Sequence, residues 1–447
     1  MSDELLTIAD RVVAMAKPGE QVEAVVVRGT ETEIKVFGGD VESLSSAQSQ
    51  GVGIRVIVDG RQGFAYAGSL EDSAIAETLA EARDNVRFAT FDEFNGLAEP
   101  DGVEFPVLDL HRPSLARFAT SDKIAIAIEL ERVVMAADPR ISGIESAEYA
   151  DSLSEAAIAT STGIRTVGSE TSCYVATYAM AADGDDTQTG FGFSVGREPS
   201  ELDPVRAATD AAQRATRMLG AVQPPSGRLT VILDPWVTAQ FLGILGHTLD
   251  GESVLKGRSL FADRVGEAVG ASLITLIDDP TDVRSFTATD ADGEGLAARR
   301  NVLIEGGVLL GFVHNSTSAR RAGTSSTGNA VRGFKSTPSV GCLSVSLVPG
   351  TTDPTALVAS VADGVLVQEV SGLHSGVNPV SGDFSTGAEG LRIRNGELAE
   401  PVREFTIAST LQKMLRDVQA VGNDLEFLPM NASGVSLVVD DLTVSGS

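Results

Sequence analysis

The pattern that most constrains this chain is a recurring one: short β-branched or alternating runs, each soon cut by a turn that carries glycine. Glycine occupies 46 of the 447 positions, well above the usual share of about 7%. Because glycine reaches positive φ without a steric penalty, such a density predicts many tight turns and much β-structure. The first runs, Gln21 to Arg28, Glu31 to Phe37 and Val52 to Val58, are punctuated by Arg28-Gly29, Gly38-Gly39 and Asp59-Gly60. Of these, Asp59-Gly60 is a strong hairpin signal.

Helical spacing frames the runs. Leu5, Ile8, Val12, Val13 and Ala16 share one helix face, and Lys17-Pro18-Gly19 ends that helix. After a strand at Gln62 to Tyr66, the residues Ile75, Leu79, Ala82 and Val86 repeat the spacing and close an α-β-β-β-β-α unit over 1–88. A proline-bearing connector, 89–119, follows. The same order then recurs over 120–222: a helix capped by Ser121 or Asp122 and reaching Ala137, strands near 141–149, 154–159, 164–167 and 171–181, and a helix from Pro204 to Leu219. Duplication and chance recurrence both account for this, since the two halves share little residue identity.

Gln223-Pro224-Pro225-Ser226-Gly227 reads as the interdomain linker. Beyond it, over 227–447, come Leu229 to Leu233, Leu273 to Ile277, Val302 to Glu305, Val308 to Val313, Leu343 to Leu347, Leu391 to Arg394 and Val435 to Val439. Glu305-Gly306-Gly307 and Asn395-Gly396 supply hairpin signals. Helices are expected only near 236–249, 260–268, 354–362 and 405–419. The expected fold class is α+β: two N-terminal α/β-mixed units followed by a β-rich, mainly antiparallel C-terminal domain, as a chain too long for one core requires.

Composition narrows the function. Sixty-two acidic residues against 34 basic ones leave a net charge of −28, which repels nucleic-acid phosphates and anionic membranes. Direct nucleic-acid or membrane contact is not expected. The acidity suits either solubility or the attraction of basic peptides. Aromatic residues are only 5% of the chain and offer little stacking surface. Cys173 and Cys342 lie far apart in apolar, strand-like contexts, which predicts buried thiols in a reduced, cytoplasmic protein. The start, MSDELLTIADRVV, has no cationic segment followed by an apolar one, and no apolar run is long enough to span a membrane.

The motifs that usually carry chemistry are incomplete. His111, His247, His314 and His374 are the only histidines, and none has a second ligand at helical spacing. Asp290, Asp292 and Glu294 in DADGEG resemble a calcium loop, but Asn301 stands where that loop needs its last glutamate, so a solvated turn is expected. Gly328 to Ser336, GNAVRGFKS, has one residue too many for a phosphate loop. In Gly372-Leu373-His374-Ser375-Gly376 the serine comes one place too late for a nucleophile elbow.

Longer segments carry a resemblance. DFSTGAEGLRIRNGELAEPV from Asp383 to Val402, VNPVSG from Val377 to Gly382 and VGNDL from Val421 to Leu425 resemble the TldD/PmbA family. GHTLDGES, KGRSLF, IEGGVLLGF and the closing LTVSGS follow the same pattern, as does VGIRVIVDGRQGFA in the N-terminal half. In the TldD branch the resemblance implies an HExxxH helix and a C-terminal cysteine that bind zinc, the glutamate activating the metal-bound water. Here Leu242 stands at the first histidine, Gly243 at the glutamate, and His247 alone matches; 426–447 holds no cysteine.

The chain thus looks like the PmbA/TldE branch, with no catalytic residue and no metal ligand set of its own. The resemblance implies a non-catalytic partner of a TldD-like chain that carries the zinc, the pair processing peptides or unfolded segments in the cytoplasm. His247 is then either a ligand remnant shaping a shared cavity or a helix-end histidine with no chemical role. Asn378, Gly382, Asp383 and Phe384, in the glycine-rich NPVSGDFSTG loop, are the candidates for peptide or partner contact, unless the glycines serve turn geometry alone. An independent hydrolase using Asp383 or the DADGEG carboxylates, and a non-enzymatic regulatory homodimer, are the rival readings. The family's older label, modulator of DNA gyrase, fits this acidic chain poorly as a claim of DNA contact.

Overall fold

The computed structural model describes residues 2–447. Its N-terminal half is built on a single antiparallel sheet. Helix α1 (Ser2–Ala14) buries Leu5, Ile8, Ala9 and Val12. Strands β1 (Gln21–Phe37) and β2 (Asp40–Val58) turn at Gly38-Gly39, both at positive φ, and β3 (Arg61–Ala67) follows the Asp59-Gly60 turn. Positive φ at both Asp59 and Gly60 is what a tight hairpin turn matched to strand twist demands. Helix α2 (Asp72–Val86) buries the expected Ile75, Leu79, Ala82 and Val86.

The second unit repeats that order: α3 (Thr120–Ala137), β4 (Ile141–Thr160), β5 (Arg165–Asp183), β6 (Asp186–Gly196) and α4 (Pro204–Arg217). The six strands join as β3-β2-β1-β4-β5-β6, so the two units are related across the central β1/β4 pair. Each unit has three strands rather than four. Arg28-Gly29 makes no turn, because β1 runs straight through it, paired to β2 on one side and β4 on the other. The expected pairs 141–149 with 154–159 and 164–167 with 171–181 are likewise single strands. All four helices cover one face of the sheet, over Val22, Ala24, Val26, Ile34 and Val36 of β1.

The C-terminal domain centres on β7 (Gly227–Leu233), flanked by Asp363–Ser371 in parallel and Leu437–Ser445 antiparallel. Asp363–Ser371 went unread in the sequence. The hairpin Asp383–Arg394 and Glu397–Thr410 extends this sheet, and Thr406 to Ala408 pair back onto Thr443 to Ser445, closing five strands into a ring. A smaller sheet of five short strands stands beside it. Helix α5 (Pro235–Thr248) and Pro354–Ser360 fall near their expected positions. No helix forms at 260–268, which is turn and coil. The helix expected at 405–419 is instead a strand to Thr410 and a short helix Leu411–Arg416. The reason is period: Phe405 and Ile407 are buried while Thr406 and Ala408 are less so, the alternation of a strand. No helix among the described residues is long and apolar enough to cross a membrane.

Candidate functional site

The helix that carries Leu242, Gly243 and His247 begins firmly. Asp234 caps α5 by accepting the Val237 N–H at 2.9 Å, and Pro235 takes the first turn. Burial pushes the Asp234 carboxyl up to about 6 despite Arg214 Nη2 at 3.3 Å. Further along, Leu242 is 2% exposed and belongs to the core with Phe241, Leu245, Val365 and Val367. Gly243 faces open space, where an added Cβ would meet nothing within 4 Å. His247 is exposed in the last turn.

The pattern's three positions therefore end in core, space and solvent. Among the described residues no group of three His, Cys, Asp or Glu is placed to hold a metal ion, so the donors present do not fit a zinc site. His314 is buried with its Nδ1 3.1 Å from Ser318 Oγ, and burial lowers its pKa. Both thiols are buried too: Cys342 lies 3.8 Å from the Gly246 carbonyl, and burial pushes Cys173 up to about 12.

The glycine-rich loop closes on itself. Asn378 N–H donates to the Asp383 carbonyl and Gly382 N–H to the Asn378 carbonyl, both at 2.8 Å. Asn378 Oδ1 accepts from the Val380 and Ser381 N–H groups, and Ser381 Oγ donates to Asp383 at 2.7 Å. Gly382 has φ +83°, and an added Cβ would lie 2.1 Å from Gln412 Oε1, so glycine serves the turn here. Asn378 and Asp383 are exposed. Phe384 corrects the expectation of contact: it is 3% exposed and packs edge-on against Phe241 of α5 at 5.1 Å.

A larger cleft opens between the helix-free face of the N-terminal sheet and the C-terminal domain. Along β5, Thr171, Cys173, Val175 and Ala179 face the helices, leaving Ser172, Tyr174, Ala176 and Tyr178 on the cleft side. On β6, Gly190 and Gly192 face α4 so closely that a Cβ at Gly192 would lie 1.9 Å from the Ala207 carbonyl. Phe191 and Phe193, alternating with them, point into the cleft. There they meet Trp236 from the first turn of α5, at 4.6 Å and 5.6 Å between ring centres. With Phe286 and Pro429 these rings enclose about 330 Å³. The same walls continue into spaces of about 310 Å³ beside Glu31 and Glu33 and about 550 Å³ beside Asp424 and Glu426.

Models of the PmbA/TldD family, described as PmbA/TldA metallopeptidase domain 1, central domain and C-terminal domain, match residues 22–86, 113–219 and 226–446. The chain belongs to the PmbA/TldD metallopeptidase family. Metalloprotease PmbA of Escherichia coli O157:H7 is 27% identical over 427 residues, covering 95% of this chain and 92% of that protein. A metalloprotease TldD homolog of Haemophilus influenzae is 24% identical over 430 residues, covering 89% and 87%. Among solved structures, a Thermotoga maritima protein named as a modulator of DNA gyrase superposes with a TM-score of 0.91 at 25% identity, covering 98% of this chain and 99% of that one. TldE of Thermococcus kodakarensis gives 0.90 at 24% identity, covering 99% of each and sharing the three-domain architecture.

For this PmbA/TldD member the other sequence motifs resolve as structure. DADGEG is not a solvated turn. Asp292 is buried and accepts the N–H groups of Glu294 at 2.9 Å and of Leu296 and Ala330 at 3.0 Å; burial, then the Glu294 charge, push it up to about 7. Glu294 lies 3.6 Å from Arg55 Nη2. In GNAVRGFKS, Arg332 pairs with Glu23 of β1, while Phe334 occupies the space left by Gly51 and Gly53 of β2. These residues clamp the C-terminal domain to the first unit. The cleft was not singled out from the sequence, although the alternation in GFGF, 190–193, carries its signal: glycines to a helix, phenylalanines away from it.

Proposed function

We propose that this chain is the non-catalytic, TldE-like subunit of a two-chain PmbA/TldD metallopeptidase that degrades or processes peptides and unfolded segments in the cytoplasm. What carries this reading is α5, where core packing holds Leu242, a side chain at Gly243 would point into open space, and His247 stands in solvent. In it the zinc and the water-activating glutamate belong to a TldD-like partner. This subunit contributes chamber walls and receives extended peptides by main-chain pairing at a sheet edge. An independent hydrolase has less support, since Asp383 is tied to Ser381 and, within DADGEG, Asp292 and Glu294 accept backbone N–H groups.

The test is peptide hydrolysis by this chain alone, by a TldD-like chain from the same genome alone, and by the mixture. Cleavage by the mixture with none by this chain alone is expected. Cleavage by this chain alone refutes the reading.

A further inference from the structure

We propose that the aromatic cleft is a subsite for one extended peptide that carries an apolar side chain beside a basic one, an assignment that rests on the peptide-handling role above. Three observations converge on it. First, β6 is an edge strand: it pairs with β5 on one side, and among the described residues no strand pairs with its other side. Beside that open edge lies the space of about 550 Å³, with Phe193, Ser194 and Val195 on one wall and Asp424 to Phe427 on the other. An edge strand next to an empty trough presents unpaired main-chain donors and acceptors to an incoming strand.

Second, the aromatic space opens off the same strand, sharing Phe193 and Val195 with the trough. A peptide paired to β6 sends alternate side chains to opposite faces, so one of each pair enters the pocket of Phe193, Trp236, Phe286 and Pro429. Those rings are only half-buried and gain by being covered.

Third, the charge at the trough favours cations. Among the described residues Glu426 makes one salt bridge, a solvent-exposed pair with Arg206 at 3.2 Å, which competing water keeps weak. Among the described residues Asp424 accepts from the Ser436 N–H and hydroxyl and has no cationic partner. Glu201 and Asp203 line the same space, against Arg206 and Arg284.

Trp236 is the chain's single tryptophan, so its fluorescence reports on this cleft alone. The experiment titrates the intact chain with a tryptophan-free pentapeptide alternating lysine and leucine. Three relatives accompany it: serine for leucine, glutamate for lysine, and the parent with alternate peptide nitrogens methylated. The parent is expected to shift Trp236 emission saturably, with each relative binding at least tenfold more weakly. Glu426→Gln, at a partly exposed side chain, is expected to shrink the preference for lysine over glutamate. The absence of a saturable shift, or equal binding of the parent and any relative, overturns the subsite, as does an unchanged lysine preference in E426Q. Hydrolysis of the parent peptide by this chain alone would instead refute the non-catalytic reading and leave the subsite standing, so the two failures are distinguishable.

Discussion

Glu23 sits fully buried on β1 between Arg55 at 2.7 Å and Arg332, which reaches it from the C-terminal domain. Burial pushes its carboxyl up, but the two guanidiniums outweigh that and hold it below the usual carboxylate range. Glu23→Gln leaves two buried arginines short of their counter-charge, and is expected to cost about 3–5 kcal/mol in denaturant unfolding; a loss under about 1 kcal/mol would contradict the clamp. Asp234 shifts the opposite way, up to about 6. Its native state therefore holds a proton more tightly than the unfolded chain does, and the stability it adds is fully present below about pH 4 and fades as pH rises through about 6. Asp234→Asn keeps a capping side chain and removes that titration. Its stability is expected to vary less between about pH 4 and 7 than that of the parent; an unchanged slope in urea unfolding across that range would count against this.

Among the elements, β6 and α5 use glycine for opposite reasons. On β6 it admits a helix: with the Ala207 carbonyl 1.9 Å from where a Cβ would stand at Gly192, Gly192→Ala must shift α4 and is expected to destabilise by about 3 kcal/mol. At Gly243 of α5 an added Cβ meets nothing within 4 Å, so Gly243→Ala is expected to stabilise by about 0.5–1 kcal/mol through helix propensity. Thermal unfolding of the two variants, moving the midpoint in opposite directions, checks both; a shared direction would contradict the placement of one of them. Helices such as α2 and α5 were legible because apolar residues at three- and four-residue spacing have one economical arrangement. Strand lengths were not. The stretch Asp40 to Gln50 is exposed throughout, and only its pairing with β1 makes it a strand. Likewise Phe384, read as a contact residue in a glycine-rich loop, needed Phe241, distant in sequence, to reveal it as core.

At the scale of the molecule, two units that the sequence suggested were alike share a sheet about the β1/β4 pair, yet their surroundings differ. The C-terminal domain clamps onto the first unit through Glu23, Gly51 and Gly53, whereas it meets the second through the Arg214–Asp234 and Arg206–Glu426 pairs and the rings of Phe191, Phe193 and Trp236, and the cleft along β5 and β6 lies among these contacts. The degenerate positions at Leu242, Gly243 and His247 were legible because they follow a fixed motif. The cleft was not, because its walls come from residues far apart in the chain, such as Phe193, Phe286 and Pro429. On the proposed function, the metal belongs to a TldD-like partner and not to this chain. Native mass spectrometry, after zinc incubation, of this chain alone and of its mixture with a TldD-like chain tests this. A zinc-free single chain is expected, and a one-to-one complex whose zinc remains with the TldD-like chain on dissociation. A stoichiometric zinc ion on this chain alone would contradict it.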